Sequence, residues 1–177
     1  MKKLLSFFAG FTLLIMGQAF AETAYDYEFA GEDGKTYSLS EYKGKVIVVM
    51  NTATQCGFAP QYSGMQKLWE KYGEDKLAVI GVASDSFNYK EPLDNDKMRQ
   101  VCRDRFGVYY PIMDKVEIGG QNQHPFFEWT SSEGFKVDWN FNKIVINKDG
   151  EIVKRLGRKV EAMKGWGSVE ATVKKHL

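Results

Sequence analysis

Residues 45–60 read KVIVVMNTATQCGFAP, and this stretch decides the fold class. Its first six residues, Lys45 to Met50, form a continuous apolar run rich in valine, the pattern of a strand covered on both faces. A small polar loop follows and holds Cys56, one of two cysteines in the chain. From Gln61 the apolar residues take a helical period, and Pro60 suits the first helical position. The stretch therefore predicts a strand, a loop that carries a cysteine, and a helix.

The chain on either side of this stretch alternates strands and helices. Leu77 to Val82 predicts a second buried strand, and a helix capped near Asp94 ends at Gly107. The turn sequence GEDG separates Tyr25–Phe29 from Lys35–Tyr37, which predicts a small N-terminal hairpin.

The C-terminal part predicts a second hairpin and a last helix. Lys143–Asn147 and Glu151–Arg155 flank Asp149-Gly150, a strong hairpin signal, and an amphipathic stretch runs from about Ser168 to His176. Because a helix joins the first two buried strands, we expect them to be parallel with a right-handed crossover. The predicted fold class is α/β: a thioredoxin-like fold with a central mixed sheet flanked by helices and an N-terminal β-hairpin.

The N-terminus has the features of a secretory signal peptide. Met1 to Ala21 contains two lysines, an apolar segment and the small-x-small triplet Ala19-Phe20-Ala21, so we expect cleavage after Ala21. The alternative is a membrane anchor, but the apolar segment is short for a span of about 20 residues. The expected localisation is periplasmic or secreted. The mature chain would have 177 − 21 = 156 residues, which suits one domain over residues 22–177.

Charge and cysteine content restrict the function classes. The formal net charge of +1 predicts neither nucleic-acid binding nor attraction of the mature chain to an anionic membrane. Two cysteines in an oxidising compartment indicate a disulfide, either structural or functional. The two histidines, His124 and His176, form no paired spacing with the cysteines, so we expect no zinc site and no bound cofactor.

The position of Cys56 offers it a chemical role. Backbone N–H groups at a helix N-terminus favour an anion, and the thiolate is the nucleophilic form of cysteine. Position 59 is Ala59, so the Cys-x-x-Cys arrangement of disulfide oxidoreductases is absent. One activated cysteine and a second, distant one fit peroxide reduction through a sulfenic acid, which a second thiol converts to a disulfide. The alternative is that Cys56 is a small buried apolar residue.

Several segments in order resemble the glutathione peroxidase family. NTATQCG followed by QY is similar to the segment that holds the family's reactive cysteine or selenocysteine. RFGVYYPIMDKVEIGG, the pair His124-Pro125 and VDWNFNKIVINKDGEIVKR follow in the family's order. The resemblance extends from about Tyr25 to Lys175 and implies a peroxidase of thioredoxin-like fold.

The resemblance implies an active site of four residues. The family's cysteine falls on Cys56, its tryptophan on Trp139 and its asparagine on Asn140, whose N–H groups can stabilise a thiolate and the departing oxygen. The family's glutamine falls on Ser86, a shorter side chain that departs from the pattern. Taken alone, Trp139 could equally be a core aromatic residue and Asn140 a turn or cap residue.

Cys102 lies in QVCRDRFG, which resembles the segment of the resolving cysteine in thioredoxin-dependent family members. Two alternatives are a core residue on an apolar helix face and a permanent structural disulfide. The expected reductant is an external thiol, either glutathione or a thioredoxin-like protein. The basic segment KRLGRK at 154–159 predicts a solvated face, or a contact surface for that reductant.

These features together predict a thiol peroxidase that reduces hydrogen peroxide or organic hydroperoxides through a Cys56 sulfenic acid, resolved by Cys102 or by external thiol. One alternative is a thioredoxin-fold protein with a decayed site and a binding or structural role. Another is a disulfide exchange factor. We expect a monomer, because no apolar stripe remains after the core is assigned.

Overall fold

The computed structural model of the chain describes residues 21–164 and 167–177. Except for Ala21, the predicted signal peptide lies outside the described residues.

The described residues form seven strands and four α-helices, with short 3-10 turns near the N-terminus. The strands are β1 (Glu28–Ala30), β2 (Thr36–Ser38), β3 (Val46–Thr52), β4 (Leu77–Ala83), β5 (Ile112–Met113), β6 (Lys143–Ile146) and β7 (Ile152–Leu156). The helices are α1 (Gln61–Tyr72), α2 (Asn95–Phe106), α3 (Pro125–Ser132) and α4 (Val169–Val173).

A mixed sheet with strand order β5-β4-β3-β6-β7 forms the centre of the fold. β3 and β4 are parallel, as predicted from the helix that joins them, and β4 is parallel to β5. β6 runs antiparallel to both β3 and β7. β1 and β2 pair separately as the predicted N-terminal hairpin. The thioredoxin-like α/β architecture is therefore confirmed.

Side chains of β3 alternate between two cores, one on each face of the sheet. Val46, Val48 and Met50 pack with residues of α1, α2 and α4. Ile47 and Val49 pack with residues of α3 and the N-terminal hairpin. Because successive side chains of a strand point to opposite faces, the part of a strand that apolar cores cover on both sides is apolar at consecutive positions. This explains the uninterrupted apolar run that predicted β3.

Some elements differ from the sequence-based expectation. β5 has two residues, too few to show a period, and was not predicted. α3 was also not predicted, because its apolar residues are adjacent rather than spaced along one face. Pro60 is the N-cap residue, and α1 begins one position later at Gln61. α4 ends at Val173 and so covers only part of the predicted amphipathic stretch.

Lys143, the first residue of β6, is a fully buried cation. Its ammonium group donates hydrogen bonds to Oε1 of Gln61 and, at 2.7 Å, to the carbonyl of Val160. Burial lowers the pKa of Lys143 to about 7, because the charged form loses its hydration. These contacts tie the start of α1 to the segment that follows β7.

Replacing Lys143 by Met should remove a pH dependence of stability. Above the folded-state pKa of about 7 and below the ordinary value of 10.5, the unfolded chain binds more protons than the folded chain. The free energy of unfolding therefore rises with pH across this window in the natural protein. Urea unfolding at a series of pH values should show that rise, and Lys143→Met should show a smaller one. Equal slopes in the two proteins would contradict the burial of a titrating lysine.

Candidate active site

Cys56 lies in the loop between β3 and α1, as the sequence predicted. Its side chain is a free thiol, and the residue is 9% exposed. Its N–H donates to the carbonyl of Ala53 at 3.3 Å, and its own carbonyl accepts from the N–H of Ala59 at 2.9 Å. Two tight turns therefore fold the loop on either side of the thiol.

A shallow depression of about 400 Å³ opens beside this thiol. The lining residues are Thr54, Gln55, Cys56, Gly57, Ala59, Pro60, Arg105 and Phe106. The guanidinium of Arg105 lies 5.2 Å from the centre of the Phe106 ring, at the end of α2. A cation at this position favours negative charge in the depression. No pattern in the sequence identifies Arg105, since nothing in the sequence places the end of α2 beside the loop.

Asn51, the next-to-last residue of β3, holds the turn that carries Trp139 and Asn140. Its Nδ2 donates to the carbonyl of Trp139 at 3.0 Å, and its Oδ1 accepts from the N–H of Asn142 at 3.0 Å. Its backbone carbonyl accepts from the N–H of Phe141 at 2.8 Å. Phe141 has a φ of 64°, a backbone conformation that residues other than glycine rarely adopt. We call these hydrogen bonds, together with the turn 139–142, the Asn51 frame.

Two basic residues of the segment KRLGRK contact the Asn51 frame. Arg155 donates to Oδ1 of Asn142 at 2.6 Å, and the guanidinium of Arg158 lies 5.6 Å from the centre of the Trp139 ring. The expectation of a purely solvated face was therefore incomplete, because pairing of β6 with β7 carries these residues back to the turn.

Trp139 and Asn140 pack against the segment that follows β4. The rings of Trp139 and Phe87 lie 5.9 Å apart with an interplanar angle of 36°. Asn140 is fully buried, and its Nδ2 donates to the carbonyl of Phe87 at 3.4 Å. Its Oδ1 is buried and accepts no hydrogen bond from the described residues. A buried amide oxygen without a donor is unusual.

Ser86 lies next to Phe87, but its hydroxyl contacts a different part of the chain. Its Oγ accepts from the hydroxyl of Ser84 at 3.0 Å and from the N–H of Ile118 at 3.0 Å. The structure thus brings Trp139, Asn140 and the segment of Ser86 together. Within the described part of the chain, no side-chain hydrogen bond joins them to Cys56.

Cys102 lies on α2 as a free thiol that is 1% exposed. Its sulfur is 4.0 Å from the sulfur of Met98, and the residue packs in the same core as Tyr62 and Cys56. Burial raises the pKa of Cys102 to about 11, although the nearby Tyr62 hydroxyl acts in the opposite direction. The thiol is therefore protonated at neutral pH and less nucleophilic than a thiolate.

Two further findings concern only the residues that the structure describes. These residues contain no group of three histidine, cysteine, aspartate or glutamate side chains that could bind a metal ion. Their helices are each too short or too polar to cross a membrane.

Replacing Asn51 by Ala should loosen the turn 139–142 selectively. Loss of the two side-chain hydrogen bonds should lower the free energy of unfolding by about 2–3 kcal/mol. Hydrogen exchange of the Phe141 and Asn142 amides should accelerate, as measured by NMR. Asn147→Ala is the matched control, because the Asn147 amide makes comparable bonds at the opposite end of β6. Equal acceleration of the Phe141 and Asn142 amides in both variants would contradict the proposed frame.

Comparison with known proteins identifies the family. The family model for glutathione peroxidase matches residues 24–131. The glutathione peroxidase homolog BsaA of Staphylococcus epidermidis is 36% identical over 140 residues, covering 76% of this chain and 89% of the relative. The hydroperoxy fatty acid reductase gpx1 of Synechocystis sp. is 35% identical over 146 residues, covering 76% of this chain and 86% of the relative.

A solved structure agrees with these matches. The crystal structure of Trgpx in its apo form superposes with a TM-score of 0.70 at 27% identity, covering 88% of this chain and 95% of the other. The matched residues of the family model include the loop of Cys56, and the relatives and the solved structure each cover more than two thirds of the chain. The chain belongs to the glutathione peroxidase family.

Proposed function

We propose that this protein is a thiol peroxidase that reduces hydrogen peroxide or organic hydroperoxides at Cys56. The observation that carries the proposal is the placement of Cys56, a free thiol beside an open depression in a loop held by two turns. Membership of the glutathione peroxidase family supports the same reaction class. The similarity to a hydroperoxy fatty acid reductase supports organic hydroperoxides as substrates.

In the first step, the Cys56 thiolate attacks the terminal oxygen of the hydroperoxide, and the O–O bond breaks. A sulfur–oxygen bond forms, and the electron pair of the broken bond leaves on the other oxygen, which takes a proton and departs as water or an alcohol. The sulfur is oxidised by two electrons to a sulfenic acid. N–H groups of Trp139 and Asn140 would stabilise the departing oxygen.

In the second step, the Cys102 thiol attacks the Cys56 sulfenic acid. A disulfide forms, and the sulfenic oxygen leaves as water with the thiol proton. Cys102 is buried on the packed helix α2 and is not bonded to Cys56, and a disulfide has strict requirements on the distance and direction of its two side chains. We therefore propose that part of α2 opens before this step. In the alternative route, an external thiol reduces the sulfenic acid directly.

The proposed reductant is glutathione or a thioredoxin-like protein. A groove of about 670 Å³ adjoins the loop of Cys56 at Gly57 and Phe58. Lys67, Lys159 and Lys164 line this groove with one carboxylate, Glu161, so the excess of positive charge would attract an anionic thiol or an acidic protein surface. We further propose a monomer that acts in the periplasm or outside the cell after removal of residues 1–21. No nucleic-acid partner is proposed, given the net charge of +1.

One observation favours a second candidate, a binding protein with a decayed active site. The Ser86 hydroxyl accepts hydrogen bonds from Ser84 and Ile118, so it supports its own segment instead of reaching across to Cys56. The following experiments separate this candidate from the peroxidase.

Cys56→Ser should abolish the rapid reaction with peroxide, and Ser86→Gln should accelerate it. Stopped-flow fluorescence of the reduced protein mixed with hydrogen peroxide measures both effects. A longer side chain at position 86 would supply the missing donor, and one such donor changes a rate by on the order of 10²-fold. If the natural protein reacts no faster than free cysteine, the decayed-site interpretation replaces the peroxidase.

One equivalent of peroxide should convert the reduced protein to a Cys56–Cys102 disulfide. Mass spectrometry of peptides from the quenched reaction identifies this bridge. Cys102→Ser should instead accumulate sulfenic acid and its further oxidation products on Cys56. Detection of sulfenic or sulfinic acid on Cys56 with no Cys56–Cys102 bridge in the natural protein would refute the two-cysteine cycle and leave reduction by external thiol.

A further inference from the structure

Glu91 is a buried carboxylate that contacts the loop of Cys56. The residue is 0% exposed. Its Oε2 accepts a hydrogen bond of 2.6 Å from the N–H of Thr54, and its Oε1 accepts one of 2.8 Å from the Thr54 hydroxyl. Because Thr54 lies two residues before Cys56, the carboxylate holds the loop close to the thiol.

A third hydrogen bond joins the same two segments. The N–H of Gln55 donates to the carbonyl of Lys90 at 3.0 Å. We call these three hydrogen bonds the Glu91 fastening. Beyond Glu91 the chain reaches Asp94, the N-cap residue of α2, so the fastening lies between the reactive loop and the helix that carries Cys102.

The segment just before the fastening has an unfavourable backbone conformation. Asn88 and Tyr89 have φ values of 57° and 48°. Such values are rare in residues with side chains and persist only where surrounding contacts impose them. The Tyr89 side chain is 85% exposed, so packing does not impose this conformation. The N–H of Tyr89 donates to the carbonyl of Asp85 at 3.2 Å, and the bonds of Lys90 and Glu91 hold the residues that follow, so release of those bonds would let the segment relax.

The buried carboxylate depends on its partners in the loop. Burial raises the pKa of Glu91, while hydrogen bonds from Thr54 and the N–H of Leu93, and the charge of Lys115, oppose that change. Removing the Thr54 contacts would leave a buried acceptor without its donors, which is unfavourable. The closed arrangement of the loop and the segment before α2 is therefore coupled to these contacts.

We propose that Glu91 is a positioning residue that fastens the Cys56 loop to the segment leading into α2, and so keeps Cys102 apart from Cys56 until the fastening opens. Its part in a catalytic cycle rests on the proposed peroxidase function. The closure of α2 over Cys102 does not depend on that function, and it can be measured without peroxide.

The first experiment measures exposure of Cys102 in reduced protein that carries Cys56→Ser. Mass spectrometry follows alkylation of Cys102 by iodoacetamide. Glu91→Ala should accelerate alkylation by about tenfold, since hydrogen bonds to a charged acceptor are lost. Thr54→Val, which removes only the hydroxyl contact, should accelerate it by about threefold. Glu91→Gln, which can still accept from the Thr54 N–H, should lie between the natural residue and Ala.

The matched control is Glu170→Ala. Glu170 is also a largely buried carboxylate, but it bonds Lys71 and Tyr72 at the opposite end of α1 from the Cys56 loop. Its loss should lower stability without selectively exposing Cys102. If Cys102 is alkylated no faster in Glu91→Ala and Thr54→Val than in this control, the proposal is overturned.

The second experiment measures both peroxide-dependent steps in protein with both cysteines. Glu91→Ala and Thr54→Val should slow oxidation of Cys56, because the loop is less well positioned, and accelerate disulfide formation, because α2 opens more readily. If Glu91 had a purely structural role, these replacements would slow both steps or change neither. Selective exposure of Cys102 in a protein that does not react with peroxide would support the positioning role of Glu91 and refute the peroxidase.

Discussion

The hydrogen bonds of Asn51 at the end of β3 are the constraint on which the rest of the site depends. β3 is the central strand, buried on both faces and paired with β4 and β6. These contacts hold the end of the strand in place. The side-chain amide and the backbone carbonyl of Asn51 form hydrogen bonds with the turn 139–142 and so fix the turn relative to the end of β3. The same strand then continues into the loop of Cys56. The turn 139–142 and the loop of Cys56 are far apart in sequence, and both adjoin the same end of β3.

Three loops meet at this edge of the sheet, and polar contacts hold each of them in addition to apolar packing. The Asn51 frame holds the turn of Trp139 and Asn140. The Glu91 fastening holds the loop of Cys56 to the segment after β4. Asn140 joins that segment to the turn through the carbonyl of Phe87. Polar contacts have strict geometry, and this suits a site that must place a thiol and hydrogen-bond donors around a small substrate.

The two cysteines show how the secondary structure around a thiol sets its chemistry. Both side chains contribute to the same core, yet Cys56 lies in a loop beside an open depression, whereas Cys102 lies on a packed helix. Burial raises the pKa of Cys102 to about 11 and keeps it protonated. In the proposed cycle, a peroxide therefore reacts with Cys56 first. Cys102 would take part only after the contacts that close α2 are broken, which gives the proposed cycle its order.

The sequence by itself determined the fold class, the parallel pair of strands, the loop of Cys56 and the family. These features depend on local patterns: a continuous apolar run indicates a buried strand, and apolar residues at a helical spacing indicate a helix. β5 was not predicted, since two residues show no period. α3 was not predicted, since its adjacent aromatic residues do not have the spacing of one helix face. Only the tertiary structure placed Asn51, Glu91 and Arg105 around the loop and turned the Ser86 hydroxyl toward Ser84 and Ile118. The physical reason is that these contacts join residues distant in sequence, and their partners are defined only once the sheet is assembled.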